Sequence, residues 1–454
     1  MMTRVLVAGG GLAGLTAACA LARRACDVIV IDARDRVGGR VLTARTGFHN
    51  KQHGELGADL IDADQDAIRD QCRRYGLSLT PILTGGFSRY VQDAKGRRRI
   101  HDIEPPQDEI AGQLGELIEA YTRAEQRWDG EVARAMARVS VDEWLRQVKA
   151  HRGWRSTVKA LRGFFLADPD ELSLLAYVDQ LASWGQAARE GLFRIRGGND
   201  RLARAMAHEL GSRVRLGHEL KEVAQGARGV RAAGRTTDGE AWRLSADFVV
   251  LALPATTLRD IRISPALPRR QREAIDTLRY GRATKALLQF DRVTWRRSRR
   301  SRGYGTDLPI GAVWDANEEQ RGRSGMLTLL AGGSASAHVR RLIPSADTRR
   351  ADLVRSAYRT IERELAWLNL ERAHIIAATA HTWEDDRWSR GGYAFFDPGF
   401  DPGLREWLAR PFGRCFFAGE HTSVKWQGYM NGAVESGLRA ADEIRAKADK
   451  LLRS

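Results

Sequence analysis

A short apolar run, Val5-Leu6-Val7-Ala8, opens the chain and stops at three glycines. A run of that length bounded by turn residues predicts a buried strand over residues 3–8. Leu12 to Arg24 is rich in Ala and Leu and predicts a helix. Asp27-Val28-Ile29-Val30-Ile31 predicts a second buried strand, which Asp32 ends. Strand, helix and strand in this order form a parallel βαβ unit.

The pattern changes near Gly86. Residues 105–185 predict helices, with Trp128, Trp144, Trp154, Phe164 and Phe165 on apolar faces, most of them core. A Gly-Gly turn at Gly197-Gly198 leads into a helix near Asp200. Val214 to Val223 predicts an edge strand, and Asp247 to Leu253 a buried one closed by Pro254. Tyr280 to Phe290 predicts a new strand in which Lys285 interrupts an apolar alternation. Arg414 to Ala418 predicts a strand and Met430 to about Ile444 a helix. No repeat or low-complexity tract interrupts these elements.

The 454 residues suffice for two or three domains with a buried core. Lys and Arg total 73 against 57 acids, a formal net charge of +16. Two basic clusters, Lys95 to Arg99 and Arg296 to Arg302, flank expected hairpins and read as solvated loops. No nucleic-acid-binding motif surrounds them, so no nucleic-acid partner is expected. The four cysteines, Cys19, Cys26, Cys72 and Cys415, form no CxxC pair, which argues against a disulfide framework or a metal site. A reducing, cytoplasmic location fits. No targeting signal opens the chain, and no apolar run reaches the ~18 residues of a membrane span.

Gly9-Gly10-Gly11-Leu12-Ala13-Gly14 matches G-x-G-x-x-G between the first strand and helix, with Asp32 eighteen positions beyond Gly14. Each part has a mechanical reason. Gly9 makes the tight turn, Gly11 lets the backbone approach a pyrophosphate, and Gly14 lets helix and strand pack closely. The helix N-terminus offers free N–H groups and a positive dipole end. Asp32 can accept from a ribose hydroxyl. The motif in this context predicts a dinucleotide-binding α/β unit.

Ile31 to Arg40, ending Val37-Gly38-Gly39-Arg40, resembles the second dinucleotide-contact segment of the FAD-dependent amine oxidases, the family of the monoamine and polyamine oxidases. Gly39 allows close backbone approach, and Arg34 and Arg40 can donate to pyrophosphate or flavin oxygens. Gly54-Glu55-Leu56-Gly57-Ala58 resembles the family's segment beneath the flavin, which assigns Gly57 and Ala58 to the cofactor. The family often carries Glu where this chain has Asp32. Leu220 matches the position whose backbone meets adenine.

The C-terminal third carries the densest resemblance. Trp383 to Tyr393, then Gly419-Glu420-His421-Thr422, then Trp426 to Ala433 follow the family's flavin and substrate end. The resemblance gives Trp383, Gly419 and Glu420 to the cofactor, Glu420 toward its ribityl or phosphate region. The helix from Met430 would aim its N-terminus at flavin N1 and C2=O. Lys285 stands where the family's lysine holds a water near flavin N5; the alternative is a stem that packs while its tip reaches solvent. Tyr393 and Tyr429 match the two rings that flank the amine, sequestering it and favouring positive charge. The alternative is two core tyrosines with separate hydroxyl partners. Gly392 stands where membrane-bound members carry the flavin-linking cysteine, so noncovalent FAD is expected.

The resemblance implies an α/β chain of two domains. A Rossmann-like FAD-binding domain would comprise residues 1–85, 190–262 and 405–454. A second domain of mixed sheet and helices, for substrate, would comprise 86–189 and 263–404. The implied activity oxidises an amine at the carbon next to nitrogen, with dioxygen as acceptor and no metal. An amino-acid oxidase is the near rival, and would need an arginine to clamp a carboxylate. Desaturases and protoporphyrinogen oxidases share the N-terminal fingerprint but generally lack the tyrosine pair. No membrane partner is expected, and a homodimer is left open.

Overall fold

The computed structural model describes residues 2–102, 108–187, 191–296, 301–343, 351–370 and 373–453. Its first sheet has five parallel strands in the order Val214–Arg215, Asp27–Ile31, Arg4–Ala8, Phe248–Leu251, Cys415–Phe417. Phe248–Leu251 is buried throughout and Arg4–Ala8 from Val5 onward, as expected of parallel strands covered on both faces. Helices Leu12–Ala22, Asp200–Leu210 and Met430–Arg453 contribute to the core on one face. The first and last cross closely: a β-carbon on Gly437 would lie 2.3 Å from the Ala13 carbonyl oxygen. On the other face Leu6, Ala8 and Leu251 share a core with Val223 and Val230 of a four-stranded sheet built from residues 218–264.

A second, mixed sheet has seven strands in the order Ile375–Thr382, Ala283–Phe290, Gly325–Gly332, Ala312–Asp315, Gly303–Thr306, Phe87–Gln92, Arg98–Asp102. All its pairs are antiparallel except Gly303–Thr306 with Phe87–Gln92. Helices between 109 and 187 join this region, with Trp128, Trp144 and Trp154 buried as expected and Phe164 and Phe165 half-buried. The α/β class with a second mixed sheet is therefore present.

Element ends differ from the expectations where local geometry decides. The first helix stops at Ala22, and Ala25 adopts φ +60°. Val214 to Val223 is not one strand: it breaks at Leu216–Gly217, Gly217 takes φ +67°, and the halves enter different sheets. The last helix continues past Ile444 to Arg453, because Arg445, Lys447 and Asp449 face outward while Ala448 stays half-buried. The Lys95–Arg99 cluster sits on the hairpin joining Phe87–Gln92 to Arg98–Asp102. Residues 297–300 of the other cluster, and 105–107 of the helical stretch, lie outside the described residues; Arg296 is no free loop cation but pairs with Asp315 at 2.5 Å. Among the described residues no helix is long and apolar enough to cross a membrane, and no cluster of His, Cys, Asp or Glu could hold a metal. The four cysteines are free.

Candidate active site

The glycine-rich turn divides into glycines that packing requires and one that it does not. A β-carbon on Gly9 would lie 2.4 Å from the Ala252 carbonyl oxygen, and one on Gly14 only 1.9 Å from that of Gly9. Gly11 would meet nothing within 4 Å. It is the N-cap of Leu12–Ala22, and no side chain caps that helix. The free N–H groups of the first turn thus stand at open space, which fits a pyrophosphate. Gly38 N–H donates to the Gly10 carbonyl at 2.8 Å, bringing the Gly38-Gly39-Arg40 turn alongside, and Gly39 takes φ +58°. Asp32 is buried, and accepts from Gly10 N–H at 2.7 Å and Arg34 N–H at 2.8 Å. A carboxylate retains lone pairs after two such bonds, as a ribose contact requires. Buried Leu220 lies two residues past His218, whose N–H donates to the Asp32 carbonyl at 2.7 Å.

Both arginines also make contacts within the protein. Arg34 turns to the Trp383–Gly392 loop, donating to Asp386 at 2.5 Å and to the Ser389 hydroxyl at 2.9 Å. Burial alone would raise Asp386, but the His381 hydrogen bond and the Arg34 charge bring it down to about 2. Arg40 Nη1 donates to the Gly392 carbonyl and to Glu420 Oε1, each at 2.8 Å. The other Glu420 oxygen accepts from Gly428 N–H at 2.8 Å. Arg40 and Glu420, both assigned to the cofactor by the resemblance, are also paired with each other.

Ala58 N–H donates to the Arg40 carbonyl at 3.0 Å, and a β-carbon on Gly57 would lie 2.2 Å from that same oxygen. Trp383 is buried and its Nε1 donates to the Leu56 carbonyl at 2.9 Å. Gly419 takes φ +137° and donates to the Ser436 hydroxyl at 2.9 Å. Buried Met430 begins the last helix.

Lys285 lies in Ala283–Phe290, a strand with no exposed residue, and is 3% exposed itself. Its Nζ donates to the Gly57 carbonyl at 2.9 Å and to Asp59 Oδ2 at 3.0 Å, and stands 5.1 Å from the Trp314 ring centroid. The stem-packed, solvent-tipped arrangement is therefore absent. Tyr393 donates to the Phe164 carbonyl, and Gln180 Nε2 donates to the Tyr429 hydroxyl at 3.1 Å. Gly428 faces the first ring: its β-carbon would lie 3.3 Å from Tyr393 Cδ2. Each hydroxyl has its own partner, while both tyrosines remain half-buried.

The profile of the flavin-containing amine oxidoreductases matches residues 12–445. The chain belongs to this family. AofH of Mycobacterium tuberculosis, a candidate flavin-containing monoamine oxidase by name, is 29% identical over 97% of this chain and 96% of its own. Flavin-containing amine oxidase A of Sus scrofa is 25% identical over 98% and 85%. Among solved structures, a double mutant of putrescine oxidase has a TM-score of 0.81 at 25% identity, covering 98% of this chain and 99% of that one. Cyclohexylamine oxidase from Brevibacterium oxydans shares the fold, with a TM-score of 0.82 at 22% identity over 99% and 100% of the two chains. The protein is an FAD-dependent amine oxidoreductase.

The amine oxidoreductase also contains site groups that sequence reasoning missed. Asp59 is buried and accepts from Lys285, from Arg194 at 2.7 Å and from Trp314 Nε1 at 3.0 Å. Arg194, 1% exposed, reaches Glu319 at 3.0 Å. Glu55, fully buried, accepts from Asn199 N–H and the Thr43 hydroxyl, each at 2.8 Å. Burial first, and the charge of Asp59 second, push Glu55 up to about 7. Burial draws the Lys285 ammonium down, opposed by Asp59. Burial would raise Asp59, but Arg194 and Lys285 hold it below the usual carboxylate range. His421 is pushed down to about 4, mainly by burial, and stays neutral at neutral pH. The available signal was a carboxylate two positions after Gly57, between Ala58 and the apolar pair Leu60-Ile61.

Proposed function

We propose that this chain oxidises an amine at the carbon next to nitrogen, giving an imine that water hydrolyses to an aldehyde or ketone plus amine or ammonia. The observation that carries the reading is the placement of two half-buried tyrosine rings about one Gly428 turn. FAD, when bound, accepts the hydride equivalent and passes its electrons to dioxygen, which becomes hydrogen peroxide.

In this reading Gly11 and the first turn of Leu12–Ala22 receive the pyrophosphate, and Asp32 receives the ribose. The Tyr393 and Tyr429 faces exclude water from the apolar body of the substrate and favour its cationic form by cation–π attraction. Phe164 and Gln180 fix the rings through their hydroxyls, so little orientation is lost when substrate enters. Lys285 supplies a fixed N–H donor beside Gly57. The FAD is bound noncovalently: Gly392 has no thiol, and a β-carbon there would lie 2.4 Å from Leu166 Cδ1. Four free cysteines fit a reducing cytoplasm.

The test is peroxide release by the purified yellow protein on a panel that includes putrescine, cyclohexylamine, aromatic monoamines and L-amino acids. Peroxide with amines and none with amino acids supports the reading. Turnover of amino acids alone replaces it with the carboxylate-clamping rival.

A further inference from the structure

Lys285 faces a closed group of charges drawn from several elements. Asp59 and Glu55 come from the segment after Gly54, Arg194 from strand Leu192–Ile195, and Glu319 from the loop after Ala312–Asp315. On the neighbouring strand His381 pairs with Lys285 in register, and Asp386 stands 3.6 Å behind it. Among the acids of the described residues, only Asp59 makes an ion pair with Lys285. It is itself fixed from two other directions, by Arg194 and by Trp314 Nε1. The carboxylate cannot swing away without breaking contacts to two further elements.

An ammonium has three N–H groups. Gly57 and Asp59 take two, and the third has no hydrogen-bond acceptor among the described residues. We propose that Asp59 is the positioning residue of this site: its carboxylate keeps Lys285 charged and pinned to the Gly57 carbonyl, leaving one N–H directed by the fold rather than by solvent. A lysine buried in apolar surroundings otherwise sheds its proton. Here the nearby Arg194 charge adds to that pressure, and the burial that lowers Lys285 is opposed chiefly by Asp59. Removing the Asp59 charge leaves Arg194 its Glu319 partner and leaves Lys285 without a paired carboxylate, beside the Gly57 carbonyl and the Trp314 ring. The inference rests on the reading that Lys285 faces the flavin.

The test follows the Lys285 side chain directly in the flavin-loaded protein. The chain has nine lysines, so carbon-13 at the lysine ε-position gives a countable set of signals, and Lys285→Met assigns the one required. In wild type the Lys285 signal is that of an ammonium at neutral pH. In Asp59→Asn it titrates at lower pH, with flavin content unchanged. Asp59→Ser removes the charge with a smaller side chain and is expected to do the same if the Asn variant does not fold. A neutral Lys285 amine in wild type at neutral pH, or the same titration in variant and wild type, overturns the proposal. The flavin reduction potential, followed against pH, is expected to carry the same inflection, moved down in Asp59→Asn and absent in Lys285→Met. A shifted lysine titration with no inflection in the potential upholds the Asp59 pair and refutes the placement of Lys285 beside the flavin.

Discussion

Arg40 and Glu420 stand 380 positions apart in the chain and 2.8 Å apart in the fold. One carboxylate thereby holds the Gly38–Arg40 turn and, through Gly428 N–H, the approach to the last helix. Their side chains are 21% and 7% exposed, so the pair is more than a surface contact.

Glu420→Ala leaves the half-buried Arg40 without its counterion. Breaking a partly exposed pair in this way costs about 2 kcal/mol, between the surface and fully buried cases. We expect a lower melting temperature and a fall in flavin per chain. Glu420→Gln can still accept from Gly428 N–H and should lose less of both. Equal losses in the two variants would show that the Gly428 contact contributes nothing.

Gly11 and Gly14 predict opposite failures. A side chain at Gly11 enters open space at φ −75°, an ordinary backbone geometry, so Gly11→Val should fold and melt close to the flavin-free wild type. Its flavin content should be near zero. At Gly14 the β-carbon collides with backbone at 1.9 Å, so Gly14→Val should fail to accumulate as folded protein. Normal flavin content in Gly11→Val would remove the pyrophosphate from this turn.

Glu55 predicts a pH dependence of stability. Its folded pKa is raised to about 7 from 4.5, so the folded state binds the extra proton. Stability from this group is present below the unfolded value and falls as pH rises from about 4.5 to about 7. At 1.36 kcal/mol per pH unit the loss is on the order of 3 kcal/mol. Glu55→Gln should flatten that part of the profile, and denaturant midpoints between these pH values measure it. A wild-type slope surviving intact in the Gln variant would place the titration elsewhere.

The legible part of this protein is whatever lies close in sequence. The βαβ unit, its glycine spacing and the strand Phe248–Leu251 follow from runs of a few residues, because parallel strands must be apolar on both faces. The helix Met430–Arg453 was legible at its start, where the Gly419 to Ala433 motif leads in. Its end was not, since a half-exposed helix keeps going through charges on its outer face. The pairings were the hidden part. Lys285 is anomalous in an apolar strand, and Asp59 is its explanation, but they are 226 positions apart. Arg34 is legible as a donor from the Ile31 to Arg40 segment; only the fold brings Asp386 to it.

Tyr393 and Tyr429 separate a substrate cage from a structural role. Their hydroxyls have partners, Phe164 and Gln180, so Phe at either position removes a hydrogen bond. That costs about 1 kcal/mol of stability. It leaves the ring face that the proposed reaction uses. Leu removes the face itself, and a desolvated cation–π contact is worth about 1–2 kcal/mol, or roughly ten- to thirty-fold in rate. The loss should appear in flavin reduction by amine, with FAD content unchanged. If the rings were only core, the order would reverse: Leu would lower melting temperature and flavin retention first, and the surviving holoenzyme would react at the wild-type rate. Stopped-flow reduction of Tyr429→Phe and Tyr429→Leu, each normalised to bound flavin, separates the two. A Leu variant that reduces as fast as wild type with any accepted amine would end the case for an aromatic cage.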